Sequence, residues 1–127
     1  MAKLTLATTI LVLGCSWGAA LAVPPEASPK QVMAHHIAVV KKDDVNAIME
    51  DYAADAVFVT PTATLIGTES IRKFFEQLAA EHRDWKTYNV TQEVKTEGVV
   101  LQKEVTSGRV EVFVVRHGKI VFQTLPG

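Results

Sequence analysis

The run Val110-Glu111-Val112-Phe113-Val114-Val115-Arg116-His117-Gly118-Lys119-Ile120-Val121-Phe122-Gln123-Thr124 decides how this chain folds. Its first half is dominated by β-branched and aromatic residues, which suit a pleated strand. Arg116-His117-Gly118-Lys119 then makes a tight turn, and residues 120–124 return as a second strand. Working backward, Thr106-Ser107-Gly108 turns the chain out of another strand at residues 99–105. Before that, Tyr88, Val90, Gln92 and Val94 alternate with polar neighbours from Thr87 onward, as in a half-exposed strand. The last third of the chain therefore predicts a four-strand antiparallel meander.

The residues ahead of the meander have a different period. Ser28 with Gln31 forms a capping box and Pro29 suits the first helical position. Val32, Met33, His36, Ile37 and Val40 recur at helical spacing, so a first helix is expected to end near Lys41-Lys42. Asp44 caps a second helix, whose apolar face is Val45, Ile48, Met49 and Tyr52. A short β-rich run from Ala56 to Thr60 stops at Pro61, and Leu65-Ile66 forms the returning edge of a hairpin. Gly67-Thr68 opens a third helix with Ile71, Phe74, Phe75, Leu78 and His82 along its inner stripe. Helices first and strands last argue for an α+β fold with an antiparallel sheet, against a doubly wound parallel one.

The 127 residues suit one domain, and 48% hydrophobic residues are enough for a core. The formal net charge of -1, without a basic run, gives no footprint for nucleic acid. The single cysteine, Cys15, has no internal disulfide partner.

Residues 1–22 read as a secretory signal peptide: a short basic start with Lys3, an apolar stretch at residues 4–13, and small residues around Leu21 in Ala20-Leu21-Ala22. Cleavage after Ala22 leaves a leader at residues 23–28, a domain at residues 29–127, and a periplasmic or secreted protein. A second route stays open. Val12-Leu13-Gly14-Cys15 is a loose lipoprotein box, through which Cys15 would be lipidated and the domain held at a membrane.

Four blocks of the domain resemble a known pattern. Lys42-Asp43-Asp44-Val45-Asn46-Ala47-Ile48 followed by Tyr52-Ala53-Ala54-Asp55-Ala56-Val57-Phe58 is similar to the opening of SnoaL-like domains. Gly67-Thr68-Glu69-Ser70-Ile71-Arg72-Lys73-Phe74-Phe75 and the stretch from Val112 to Ile120 are similar to later parts of the same domains. The resemblance is to the SnoaL-like and ketosteroid-isomerase-like proteins of the nuclear transport factor 2-like superfamily. It implies a cone-shaped roll (a cystatin-like α+β barrel), with three N-terminal helices packed on a curved sheet. The cone would be an inner pocket for a small hydrophobic molecule.

That superfamily spans isomerases, cyclases, hydrolases and binding domains, so the fold alone does not carry an activity. The resemblance places the isomerase base position at Thr60, and a threonine hydroxyl is no general base near neutrality. It places the isomerase tyrosine near His36 and the isomerase acid near Glu111. The epoxide-hydrolase positions fall near Glu104, Thr106 and Thr124 and do not supply that enzyme's Arg and Asp set. His36 and Glu111 remain as candidate catalytic groups, His36 as donor or base and Glu111 as acid, and the two could pair. Tyr52, Phe58, Thr60, Phe75, Trp85 and Phe113 are the candidate pocket lining. Asp55 matches an acid common to the motif and is expected to be a structural carboxylate. His35 and His36, being adjacent on a helix, are expected to point in different directions. No metal and no cofactor are expected.

Three functions follow as expectations. The first is an exported binding domain for a small apolar ligand. The second is an isomerase- or cyclase-type enzyme that moves a proton next to a carbonyl. The third is a homodimeric interaction module built through the sheet face.

Overall fold

A computed structural model describes residues 26–127; the segment read as a signal peptide, with Cys15 and the cleavage site, lies outside the described residues. Helix α1 (Pro29–Val40) begins at the Ser28 capping box. Ser28 Oγ accepts from the Gln31 amide at 3.2 Å, and Gln31 Oε1 accepts from the Ser28 amide at 2.8 Å. The short helix α2 (Val45–Glu50) starts where Asp44 Oδ1 accepts from the Ala47 amide at 3.1 Å. Strands β1 (Tyr52–Val59) and β2 (Thr64–Ile66) form the early hairpin, followed by helix α3 (Thr68–Ala80). A single 3₁₀ turn at Trp85–Thr87 leads into β3 (Val90–Val94), β4 (Val99–Glu104), β5 (Val110–Arg116) and β6 (Lys119–Thr124). Among the described residues, no helix is long and apolar enough to cross a membrane.

The six strands form one sheet in the order β2-β1-β6-β5-β4-β3. The meander reads as expected, with β3–β4, β4–β5 and β5–β6 all antiparallel. His117 and Gly118 both take positive φ, 49° and 70°, at the β5–β6 turn. That matches the right-handed twist of the flanking strands. One pair departs from the antiparallel expectation: β1 and β6 run parallel. No hairpin joins them, so their direction is free of the constraint that a tight turn imposes.

Tyr52 also departs from its expected place, because α2 stops at Glu50 and Tyr52 opens β1. The Ile120 amide donates to the Asp51 carbonyl at 2.7 Å, and Tyr52 is paired with Ile120. Sheet pairing with a strand about seventy residues away overrides the helical spacing read from Val45 to Tyr52. The pairing slips between Tyr52 and Val57, which bends β1.

The core lies between the helices and the concave face of the sheet. Val32, Met33 and Val39 of α1, Ile48 of α2, and Ile71 and Phe75 of α3 are buried against Ala56, Phe58, Val100, Phe113 and Ile120. Full burial of side chains the size of Phe58 or Phe113 stabilises by roughly 1.5–3 kcal/mol each. On the outer face, Leu101 is paired with Val112 and Val99 with Val114, and Val110 at the edge of this patch is exposed.

Candidate functional site

Alternation along the strands sends Phe58, Gln123, Phe113 and Val100 to the concave face in one cross-strand row. Glu111, Gln102 and Gln92 form the adjacent row. Between these rows and helices α1 and α3 lies a cavity of about 470 Å³. Phe58, Phe74, Phe75, Leu78, Phe113 and Leu125 form its apolar wall, and His36, Tyr88, Gln102, Glu111 and Gln123 are its interior polar groups. Glu81, Arg83, Asp84, Glu104 and Arg109 bring charge to its lining. Volume and lining both fall in the range of small-molecule sites.

Glu111 carries the strongest perturbation with a chemical use. Burial pushes its carboxyl up to about 7, against a smaller lowering from the hydrogen bond of Gln123 and from the Arg109 charge. Gln123 Nε2 donates to Glu111 Oε2 at 3.4 Å, and Tyr52 Oη donates to Gln123 Oε1. Tyr88 is held in its neutral phenol form by burial and by the nearby Glu111 carboxylate. Gln102 Nε2 donates to Tyr88 Oη at 3.2 Å, and Gln102 Oε1 accepts from Gln92 Nε2 at 2.8 Å. Glu104 is different: hydrogen bonds from Ser107 and Thr106 draw its carboxyl down to about 2, so it stays a carboxylate.

His36 lines the cavity but does not pair with Glu111. Its Nδ1 lies 3.2 Å from Asp51 Oδ2, while His35 Nδ1 lies 2.7 Å from Oδ1 of the same residue. The adjacent histidines thus converge on one carboxylate instead of pointing apart. Asp51 sits at the C-cap of α2, directly beneath α1, and presents one oxygen to each ring. A carboxylate only accepts, so both rings donate from Nδ1. His35 Nε2 is buried without a hydrogen-bond partner among the described residues.

Phe58, Phe75, Phe113 and Trp85 line the cavity. Trp85 is fixed there by Nε1 donating to Asp43 Oδ1 at 3.0 Å and by an edge-to-face contact with Tyr88. Two expected lining residues sit elsewhere. Thr60 lies outside the cavity lining and closes the β1–β2 turn, where its hydroxyl donates to the Ala63 carbonyl and accepts from the Ala63 amide, both at 3.0 Å. Tyr52 lies behind the lining, packed against His36 and Phe75, and its hydroxyl reaches the lining at Gln123. Asp55 is exposed on the bent part of β1, and the buried carboxylate of this region is Asp51, 0% exposed.

Asp51, Gln102 and Gln123 are the polar groups that the sequence reading did not single out. Gln102 and Gln123 are 2% and 4% exposed. Each interrupts an apolar strand as Glu111 does, and that interruption was the available signal. Asp51 carries no such signal, since it follows Glu50 at a helix end and interrupts no apolar strand.

No curated protein matches the chain. Its fold recurs in solved structures at low identity. A SnoaL-like protein of unknown function from Burkholderia thailandensis is 16% identical with a TM-score of 0.60, over 76% of this chain and 91% of that one. A candidate polyketide cyclase from Xanthomonas campestris is 16% identical with a TM-score of 0.58, over 78% of this chain and 89% of that one. TerC, co-crystallised with polyporic acid, is 13% identical with a TM-score of 0.56, over 77% of this chain and 89% of that one. The SnoaL-like domain profile matches residues 33–123, and this chain therefore belongs to the SnoaL-like family of the nuclear transport factor 2-like fold.

Proposed function

We propose that this chain is an exported pocket domain that binds a small, mostly apolar molecule carrying one hydrogen-bonding oxygen. The observation that carries this reading is Glu111, a carboxyl held near neutrality among phenylalanines at the polar side of the cavity. Its protonated form donates to a ligand carbonyl, and its ionised form accepts from a ligand hydroxyl. The similar TerC was crystallised with a small organic acid, which supports a small-molecule role for this cone. Two probes of similar size test the reading. The phenol 2-naphthol should bind more tightly as pH rises through about 7, and the ketone 2-tetralone less tightly. Absence of binding by both, or an identical pH dependence for both, would refute it. Export rests on the Lys3 start, the apolar stretch and Ala20-Leu21-Ala22. Mass spectrometry of the mature chain should find Val23 at its N-terminus, whereas a lipid-modified Cys15 would point to the membrane-anchored route.

A second reading is proton transfer next to a carbonyl. Two proton-handling groups favour it, both lining one cavity: Glu111, and His36 backed by Asp51. In that reading a ligand C–H proton passes to the Glu111 carboxylate, and the developing enolate oxygen is met by the Tyr88 hydroxyl. Deuterium exchange at the α-carbon of 2-tetralone, followed by NMR, checks it. An exchange rate equal to that of buffer would leave the binding role alone.

A further inference from the structure

Tyr52 was expected among the lining residues, yet its ring stands behind the cavity wall. It is buried, with its hydroxyl donating to Gln123 Oε1 and its ring edge-to-face with His36 at 5.5 Å between centroids. A side-chain amide has one accepting end and one donating end. When Tyr52 occupies the accepting end, the donating end of Gln123 is turned toward Glu111, and Nε2 lies 3.4 Å from Oε2. Without the Tyr52 hydroxyl both amide orientations become available. The flipped one would place Oε1 against Glu111 and accept from its protonated carboxyl.

We propose that Tyr52 is a positioning residue: by holding Gln123 Oε1 it keeps the amide's Nε2 turned to Glu111 Oε2, which leaves the other Glu111 oxygen free for a ligand. The proposal rests on the reading of the cavity as a ligand site, because only a ligand makes the free oxygen matter. Two cross-strand steps carry it. Tyr52 on β1 meets Gln123 on β6, Gln123 meets Glu111 on β5, and all three side chains lie on the concave side of one sheet. Gln123 is 4% exposed, so water does not readily replace either partner. The other titratable or charged groups that share the cavity with Glu111 are His36 from α1, Glu81 from the end of α3, Arg83, Asp84 and Tyr88 from the segment before β3, Glu104 from β4, and Arg109 just before β5. Among the described residues the Tyr52 hydroxyl is hydrogen-bonded to Gln123 and to none of these groups.

The test is carboxyl-carbon NMR titration of Glu111 in the ligand-free protein. Tyr52→Phe should raise the Glu111 midpoint by about half to one pH unit, the size of one lost hydrogen bond. Gln123→Met should raise it similarly, and the double variant should go no further than Gln123→Met alone. In the unmodified protein, the Gln123 side-chain amide protons should titrate with the Glu111 midpoint, a measurement that holds even if Tyr52→Phe fails to fold. An unmoved Glu111 midpoint in a folded Tyr52→Phe protein, additive shifts in the double variant, or flat Gln123 amide protons would overturn the proposal. Binding of 2-naphthol by the unmodified protein is scored separately, so failure of the pocket reading is distinguishable from failure of the relay.

Discussion

His36 Nδ1 lies 3.2 Å from Oδ2 of Asp51, a carboxylate fully buried at the junction of α2 and β1. His35 takes the second oxygen of the same carboxylate at 2.7 Å. One side chain thereby ties α1 to the start of the sheet and holds the His36 ring edge-on to Tyr52, Phe75 and Phe113. The orientation of a cavity-lining ring is set by a residue outside the cavity lining.

Asp51→Asn tests this tie. An amide offers one acceptor and one donor where both rings present donors, so one buried contact becomes donor against donor. The expected cost is about 2–4 kcal/mol in urea unfolding. A change below about 0.5 kcal/mol would mean that the two histidines find other acceptors at no cost.

Glu111 makes stability depend on pH. Its carboxyl moves from 4.5 to about 7 on folding because of burial. Between those values the folded protein keeps a proton that the unfolded chain has lost, so stability falls as pH rises from about 4.5 to about 7. Glu111→Gln should remove that decline and be more stable than the unmodified protein at pH 8 by about 2 kcal/mol. Parallel pH–stability curves for the two proteins would contradict the raised value.

The strands and helices were legible because local pattern and tertiary demand agree. Ser28 with Gln31, Asp44, and the turn at His117-Gly118 each meet in the structure the need that their chemistry suggests. The misreadings come from places where distant pairing decides. Tyr52 continues a helical stripe in sequence, yet the edge of β6 takes it into a strand. The parallel β1–β6 pair is invisible to any periodicity. Glu111 was recognisable as a polar residue in an apolar strand, and Gln102 and Gln123 carry the same mark. His36 and Glu111 were open to pairing, but His36 Nδ1 is bonded to Asp51, four residues before Asp55.

Gly98 sits at the entry to β4 with φ +77°, and a Cβ there would lie 2.1 Å from the Val115 carbonyl oxygen. Neither the backbone angle nor the neighbouring strand leaves room for a side chain. Gly98→Ala should cost about 3 kcal/mol or more in thermal or urea unfolding. A cost under about 1 kcal/mol would show that the β4–β5 contact is looser than described.

If the cavity transfers protons, the Glu111 carboxylate is the accepting form. Exchange of the 2-tetralone α-hydrogens should then rise with pH and level off above about 7. Glu111→Gln should lower the plateau about a hundredfold. A rate that is flat across this range and unchanged by the substitution would remove Glu111 from any catalytic role.

The roles proposed for Glu111 and Tyr52 depend most on the cone being where a ligand sits. Its most direct test is two-dimensional carbon–proton NMR of the folded domain titrated with 2-naphthol. Saturable one-to-one shifts are predicted for the methyl groups of Val40, Leu78 and Leu125 and for the ring of Phe113, with Leu101 and Val110 on the outer face unmoved. Shifts confined to Leu101 and Val110, or no saturable shift at any of these positions, would contradict it.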